Sequence, residues 1–594
     1  MALFERKHTN KVSLDDTETL TSVIENARTI DNHTEYVIRT QRGPLPDKSW
    51  RVSRRYNDFV QLNGALSVSG LELPLPPKKI IGNMDAEFIA QRQIALQHYL
   101  NVVLMNPILA SSLSMKHFLD PNNYAAPLHE IALQQVSLAL RSDANFEIGK
   151  PIVDMGWRLR KHYYTVKNRQ NPKQELLLAW VEFGPDKHLH DKDMHGVFKS
   201  LGTLKHAHIE RIVHQHVTEN GALTIRNFYI NGTLRDVLCN TKPKQPFIKK
   251  YGNPKQTKSL TTSEIATYAY QILEALGYLA EKGLPYGHLH TGNVLLTPTG
   301  AKLLDIENGL LGLPAFYRPY VVQRRKLHAT TQVDVYAFGH VLYEMTFGRP
   351  LLEATCTDLP PCDVHLKNLL EVILSPEALK QDLPSFTRLL EHPFFDSARL
   401  AAASAAGTVE KPHFKLSSHL KEALLAAANK AEQRLRSEQK NARHQKRLVK
   451  VQEMMSSEEE MKKRKQILKK ESKLAQEQRS SSQLGANGVK QINGKSPERS
   501  DSPTSTSTTT SVGTLTPPSH GSMDAPSNAI PGRNNHTINR RPSAMASVSL
   551  ASNNIPPIAP QTQQTNDRSA LLGSICNFNK SKLRKVTNEN HSSV

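Results

Sequence analysis

The sequence predicts an α+β multidomain chain: two folded parts in succession, then a largely disordered C-terminal tail. Three observations predict it. Residues 15 to 120 read as strand-like runs followed by helical periodicity, and residues 147 to about 400 return to strands and helices. From Ser480 the composition turns to Ser, Thr, Pro, Asn and Gln, which cannot bury enough apolar surface to order a chain. At 594 residues there is room for two or three domains beside such a tail.

In the first part, Thr19 to Ile30 and Glu35 to Arg42 are β-rich runs around an Asp31-Asn32-His33 turn, and Ser49 to Arg55 is a third strand leading into a helical pattern from Tyr56 to Ala65. Leu73-Pro74-Leu75-Pro76-Pro77 excludes helix and central strand. A helix from about Asp85 to Leu104 follows, stopped by Asn106-Pro107. Three signals then stand in order: Arg54-Arg55-Tyr56-Asn57-Asp58-Phe59, the proline loop ending in Pro77-Lys78-Lys79, and Arg92 before Gln93-Ile94-Ala95-Leu96, with Phe118-Leu119 closing. Together they resemble a phox-homology (PX) domain over residues 15–122, a three-stranded sheet plus helices. The resemblance implies a phosphoinositide site in which Arg55 grips the 3-phosphate, Tyr56 stacks under the inositol ring, Lys78 meets the 1-phosphate and Arg92 binds the 4- and 5-hydroxyls. Lys79 is the neighbouring alternative to Lys78. Phosphatidylinositol 3-phosphate is therefore the expected lipid; guanidinium forks and an ammonium point charge suit its phosphates.

The second part centres on Tyr286-Gly287-His288-Leu289-His290-Thr291-Gly292-Asn293, followed by Leu303-Leu304-Asp305-Ile306-Glu307. These residues resemble the catalytic loop and metal-binding segment of a protein kinase, H-R-D-L-x-x-x-N and D-F-G. Leu204-Lys205-His206-Ala207-His208-Ile209, Asn231-Gly232-Thr233-Leu234, Asp334-Val335-Tyr336-Ala337-Phe338-Gly339 and Leu389-Leu390-Glu391-His392-Pro393-Phe394 match further kinase signatures in order. The resemblance implies a two-lobed kinase-like fold over residues 145–400, with its equipment altered. His288 stands in place of the base Asp, and His290 in place of the Lys that steadies the transferred phosphoryl group. The strand Gln174 to Glu182 is expected to end in the ATP-gripping Lys, and Glu182 occupies that place; Lys167 imitates the V-A-I-K pattern but fits the preceding strand. No G-x-G-x-x-G occurs between Gly149 and Gly156, and the helix from Asp193 to Leu204 holds no Glu. Asn293 and Asp305, the magnesium ligands of the motif, remain. The reading is a pseudokinase, a protein-binding platform with no catalytic residue assigned, and Mg-ATP binding without catalysis left open; the alternative is an active atypical Ser/Thr kinase.

Residues 418–478 read as a basic helical segment, a charged spacer or an anionic-membrane face, whose leucines do not sustain a heptad. Residues 480–564 are the disordered Ser/Thr/Pro-rich linker. In residues 567–587, Leu571, Leu572, Ile575 and Phe578 share one side of a short amphipathic helix, and Leu583-Arg584-Lys585-Val586 follows. This is similar to a WASP-homology-2 motif, which implies actin binding by helix-in-groove docking.

Net charge is +21, favouring anionic partners, while the absence of aromatic interleaving in the basic segment speaks against nucleic acid. Four scattered cysteines, Cys239, Cys356, Cys362 and Cys576, offer neither metal spacing nor a disulfide framework, as in a reducing compartment. No apolar run is long enough for a membrane span or a signal peptide, so the expected location is cytoplasmic and peripheral on membranes. The order of parts resembles the PX-domain-containing serine/threonine kinase-like family. That resemblance implies a scaffold in endosomal receptor trafficking, on endosomal and plasma membranes, with sodium/potassium pump β-subunits and receptor cargo as family partners.

Overall fold

The computed structural model describes residues 14–31, 33–79, 84–141, 143–405 and 411–483. The predicted actin motif, Leu571 to Val586, lies outside the described residues.

Strands β1 (Leu20–Ile30), β2 (His33–Arg42) and β3 (Ser49–Arg55) form an antiparallel sheet in that order. Alternation along β3 sorts the two consecutive arginines. Arg54 turns inward, its Nε donating to the Phe118 carbonyl at 2.8 Å, whereas Arg55 stays exposed. Helix α1 (Tyr56–Leu66) starts directly from β3, with the Asp58 carboxylate accepting the Arg55 amide at 2.8 Å. Helix α2 (Ala86–Met105) lies against β1, and Phe59 meets Tyr36, Tyr99 and Phe118 edge-on in the core between them.

The expected helical connector is α3 (Leu128–Ala139), and it covers one face of the next sheet: Ala132 and Val136 are buried against Tyr164, Leu176, Trp180 and Ile225. That sheet has five antiparallel strands, β4 (Phe146–Ile152), β5 (Lys161–Asn168), β6 (Glu175–Glu182), β7 (His214–Val217) and β8 (Gly221–Asn227), in the order β4-β5-β6-β8-β7. Helix α4 (Asp191–Leu201) packs Met194, Val197, Phe198 and Leu201 into the main core with Val181 and Ala222, which alternate with the residues facing α3.

The larger lobe is built on α5 (Thr262–Glu281), the hairpin β9 (Val294–Thr297) and β10 (Gly300–Leu303), α6 (Thr330–Phe347) and α7 (Val364–Leu374). A reciprocal Thr261/Glu264 box opens α5. Every residue of α6 from Val333 to Met345 is buried, so this helix is enclosed on all sides rather than on one stripe, with Asp334, His340 and Glu344 as its buried polar members. Its Asp334 points at the catalytic-loop segment and accepts the amides of Tyr286 (3.0 Å) and Gly287 (2.6 Å).

The last described element is α8 (Ser418–Gln483). The expectation of a charged spacer does not hold over its N-terminal part. Leu424, Leu435 and Gln439 are buried, with Leu420, Ala423 and Ala427 packed against the main core. The Gln439 amide nitrogen reaches the carbonyls of Val321 (3.1 Å), Arg324 (2.8 Å) and Leu327 (2.8 Å). Glu432 accepts the Thr330 amide at 3.2 Å, and Arg434 pairs with Asp186 at 2.9 Å. Arg318, on the short helix Arg318–Val321, collects carboxylates from three places: Asp15 ahead of β1 (3.2 Å), Asp186 before α4 (3.0 Å) and Glu438 on α8 (2.9 Å). Asp16 likewise reaches Arg160 at 3.5 Å, and the Asn253 amide donates to the Gly70 carbonyl at 3.0 Å. The first and second parts thus share one packed body with the start of α8.

Candidate functional site

Two groups of polar residues stand out, one in each folded part. In the first, Arg92 is 7% exposed, and its guanidinium carbon lies 4.4 Å from the Tyr56 ring centre and 4.2 Å from that of Phe88. One Arg92 nitrogen donates to the Pro77 carbonyl at 3.2 Å, while its buried Nε has no partner. The Tyr56 hydroxyl fixes the other side of the proline loop by donating to the Pro76 carbonyl at 2.5 Å. The structure therefore brings Tyr56 and Arg92 together under the loop that carries Lys78, with Arg55 beside Tyr56; Arg55 and Lys78 are both exposed. Lys79 is turned toward Phe88, 4.3 Å from its ring centre, with Asp85 at 3.9 Å.

In the second group, the buried catalytic-loop segment is held by its own chain. Gly287 has φ +72°, a backbone that suits glycine, and the Tyr286 hydroxyl donates to the Leu304 carbonyl at 2.7 Å. His288 is buried, and an Arg158 nitrogen approaches its Nδ1 at 3.2 Å. His290 stacks on Phe316 with ring centres 4.8 Å apart, and its Nδ1 accepts the Gly292 amide at 3.0 Å. Burial first, then the Arg158 charge, hold both imidazoles well below their ordinary pKa, hence neutral. Arg158 and Trp157 come from the stretch between β4 and β5, where a kinase would place its glycine loop. Here that stretch turns side chains inward: Trp157 packs edge-on to Phe316 at 5.2 Å, and Arg158 donates to the Pro314 carbonyl at 2.8 Å.

The cation beside Asp305 corrects one expectation. Glu182 closes β6, but its carboxylate turns to Arg160 at 2.8 Å and does not line the cavity that holds Asp305. Lys161, the first residue of β5, lies opposite Val181 in the β5–β6 register and puts its ammonium 2.5 Å from Asp305 Oδ2. Lys167 is exposed at the far end of β5. A sequence scan for a lysine on β6 passes Lys161 by, since its position becomes meaningful only through strand pairing. The signal in the sequence is the basic run Arg158-Leu159-Arg160-Lys161 at a strand start.

Glu307 replaces the glycine of D-F-G and is fully buried. It is paired with Arg226 of β8 at 2.6 Å and accepts from the Thr224 hydroxyl at 3.3 Å. The two lobes are thus tied by Lys161–Asp305 and Arg226–Glu307, with no Glu on α4 taking part.

At Asp305 a divalent metal would have to compete with cations of the chain itself. Asp305 adopts φ +57°, with Lys161 on one oxygen and Arg226 3.7 Å from the other, and these cations hold its carboxyl down to about 2 against the effect of burial. The Asn293 amide nitrogen donates to the His288 carbonyl at 3.0 Å, a bond that fixes the side chain and does not engage its oxygen.

A three-stranded sheet with Arg92 held between Tyr56 and Phe88 beside a proline loop, followed by a two-lobed body whose base position is His288, defines a PX module joined to a protein-kinase-like domain. Family models agree: "PX domain" matches residues 45–122, and "Protein tyrosine and serine/threonine kinase" matches residues 164–311. The "PX domain-containing protein kinase-like protein" of Mus musculus is 49% identical over 441 residues, covering 74% of this chain and 75% of the relative. The chain belongs to the family of PX domain-containing protein kinase-like proteins. More distant relatives include the "Slowpoke-binding protein" of Drosophila melanogaster, 33% identical over 255 residues, covering 39% of this chain and 48% of that one. The "Probable inactive serine/threonine-protein kinase slob1" of Dictyostelium discoideum is 31% identical over 290 residues, covering 43% of this chain and 48% of that one.

Proposed function

We propose that this chain is a phosphoinositide-guided membrane adaptor whose kinase-like domain docks proteins and transfers no phosphate. The observation that carries the reading is the base position: His288 is buried, neutral and clamped by Arg158, so it presents no carboxylate to a substrate hydroxyl. The names of two relatives, one an inactive kinase and one a binding protein, support it. In this reading Arg55 takes the 3-phosphate, Tyr56 supports the ring, Lys78 meets the 1-phosphate and Arg92 the ring hydroxyls of phosphatidylinositol 3-phosphate, and endosomal and plasma membranes are the proposed locations. The tail motif of residues 567–587 would add actin, and receptor cargo and sodium/potassium pump β-subunits are the proposed membrane-protein partners. Among the described residues no helix is long and apolar enough to cross a membrane, which agrees with peripheral attachment.

The test is twofold. Full-length protein should float with vesicles containing phosphatidylinositol 3-phosphate and not with those lacking it, and it should transfer no phosphate from ATP to peptide or to itself. Phosphotransfer that disappears in Asp305→Ala would install the alternative, an active atypical Ser/Thr kinase; absence of vesicle binding would remove the lipid half.

A further inference from the structure

The cleft between the lobes contains a cavity of about 120 Å³ with two unlike ends. Leu177 and Ala179 of β6 form one wall, Leu295 of β9 faces them, and Phe228 lies at the rim, leaving an apolar slot suited to a flat ring. At the other end stand Arg158, Lys161 and Arg226 with Asp305, and Glu307 is buried behind Arg226; Arg235 and Lys250, also in the lining, are matched by Glu344 (3.6 Å) and Asp236 (3.0 Å). Arg226 is matched to Glu307 and Lys161 to Asp305, so one cation is left over. It is Arg158, whose hydrogen-bond partners, the Pro314 carbonyl (2.8 Å) and His288 (3.2 Å), are neutral and whose nearest acting carboxylate, Asp305, is already held by Lys161. The neighbouring imidazoles add no charge to this sum, being neutral. A partly buried guanidinium without a counter-charge is costly unless an anion completes it.

We infer that this cleft binds a nucleoside phosphate as the metal-free anion, with Arg158 and Lys161 standing where a divalent cation would otherwise neutralise the phosphates. A divalent ion would have to displace Lys161 from Asp305 and then sit among like charges. A phosphate meets the surplus charge directly and reaches the guanidinium donors that protein groups leave unused. The inference goes beyond the adaptor reading, since nucleotide binding and a missing base are compatible.

The experiment measures ATP binding to the full chain by calorimetry and thermal shift, in EDTA and in excess magnesium. Binding is expected in EDTA and should be no tighter with magnesium. Asp305→Asn is the decisive variant, because asparagine tolerates the left-handed backbone at that position. It should bind ATP in EDTA at least as tightly as the native chain, whereas a metal-bridged site loses about tenfold or more with the same change. Lys161→Met should weaken binding about tenfold; if the lone change fails to fold, Lys161→Met with Asp305→Asn removes both charges together and should still bind weakly. Inorganic tripolyphosphate should bind more weakly than ATP, since it leaves the apolar slot empty. No binding in EDTA, binding only with magnesium, or a loss in Asp305→Asn would overturn the proposal. Equal affinity for tripolyphosphate would overturn its nucleoside part.

Discussion

The two polar clusters use similar residues in opposite ways. On the PX face, Arg55 and Lys78 are exposed, and only Arg92 is anchored, through Tyr56, Phe88 and the Pro77 carbonyl. In the kinase-like cleft, Lys161 and Arg226 are buried and spent on Asp305 and Glu307. An exposed cation costs the fold little and waits for a ligand; a buried, paired one belongs to the fold, and its removal leaves a carboxylate stranded. The first cluster can therefore lose a side chain at little cost to the fold, whereas stranding one partner in the second costs stability.

The sharpest way to break that contrast is Glu307→Ala. It leaves Arg226 buried without its main partner, and a loss of about 3–5 kcal/mol is expected, read as a large fall in the melting temperature of the full chain. A melting curve like that of the native chain would mean that the inter-lobe pair is not structural. Next comes Leu435→Ala on α8. Truncating this buried leucine should cost about 2–4 kcal/mol and open the stretch around residues 411–430 to limited proteolysis, whereas an unchanged digestion pattern would detach α8 from the core. On the other side of the comparison, Arg55→Ala should reduce binding to phosphatidylinositol 3-phosphate vesicles by about tenfold or more with no shift in melting temperature, because the side chain is exposed. A parallel loss of stability would show that Arg55 is part of the scaffold. The smallest effect is expected at Glu182→Ala. Its pair with Arg160 is partly exposed, so stability should move by no more than about 1 kcal/mol and ATP affinity hardly at all. A marked gain in ATP binding would return Glu182 to the cleft.

How much of this was legible in the sequence differs residue by residue. The PX signals are local and ordered, and period-two alternation sends Arg54 inward and Arg55 out. His288, Asn293 and Asp305 stand out because their motif is contiguous. Lys161 does not, because it gains its role from lying across from Val181 on another strand, and pairing register is invisible to a scan along one strand. The docking stripe of α8 was hidden for a related reason. Leucines alone break the spacing, but Leu420, Leu424, Ala427, Ala431, Leu435 and Gln439 recur every three or four residues. Two of those places are alanines and one is a glutamine, whose value lies in reaching three backbone carbonyls. Glu307 reads as a defect in D-F-G until Arg226 is seen beside it.

Arg318 has a practical consequence for anyone cutting this protein into pieces. A fragment trimmed to residues 145–400 keeps Asp186 but sheds Asp15 and Glu438, and with them the helix that roofs Leu310, Leu313 and Val321. Such a fragment would present raw leucine to the solvent beside an under-neutralised guanidinium. Proteins captured with it as bait would report on the wound, and a search for genuine partners is better begun with bait that carries residues from Asp15 through the first half of α8.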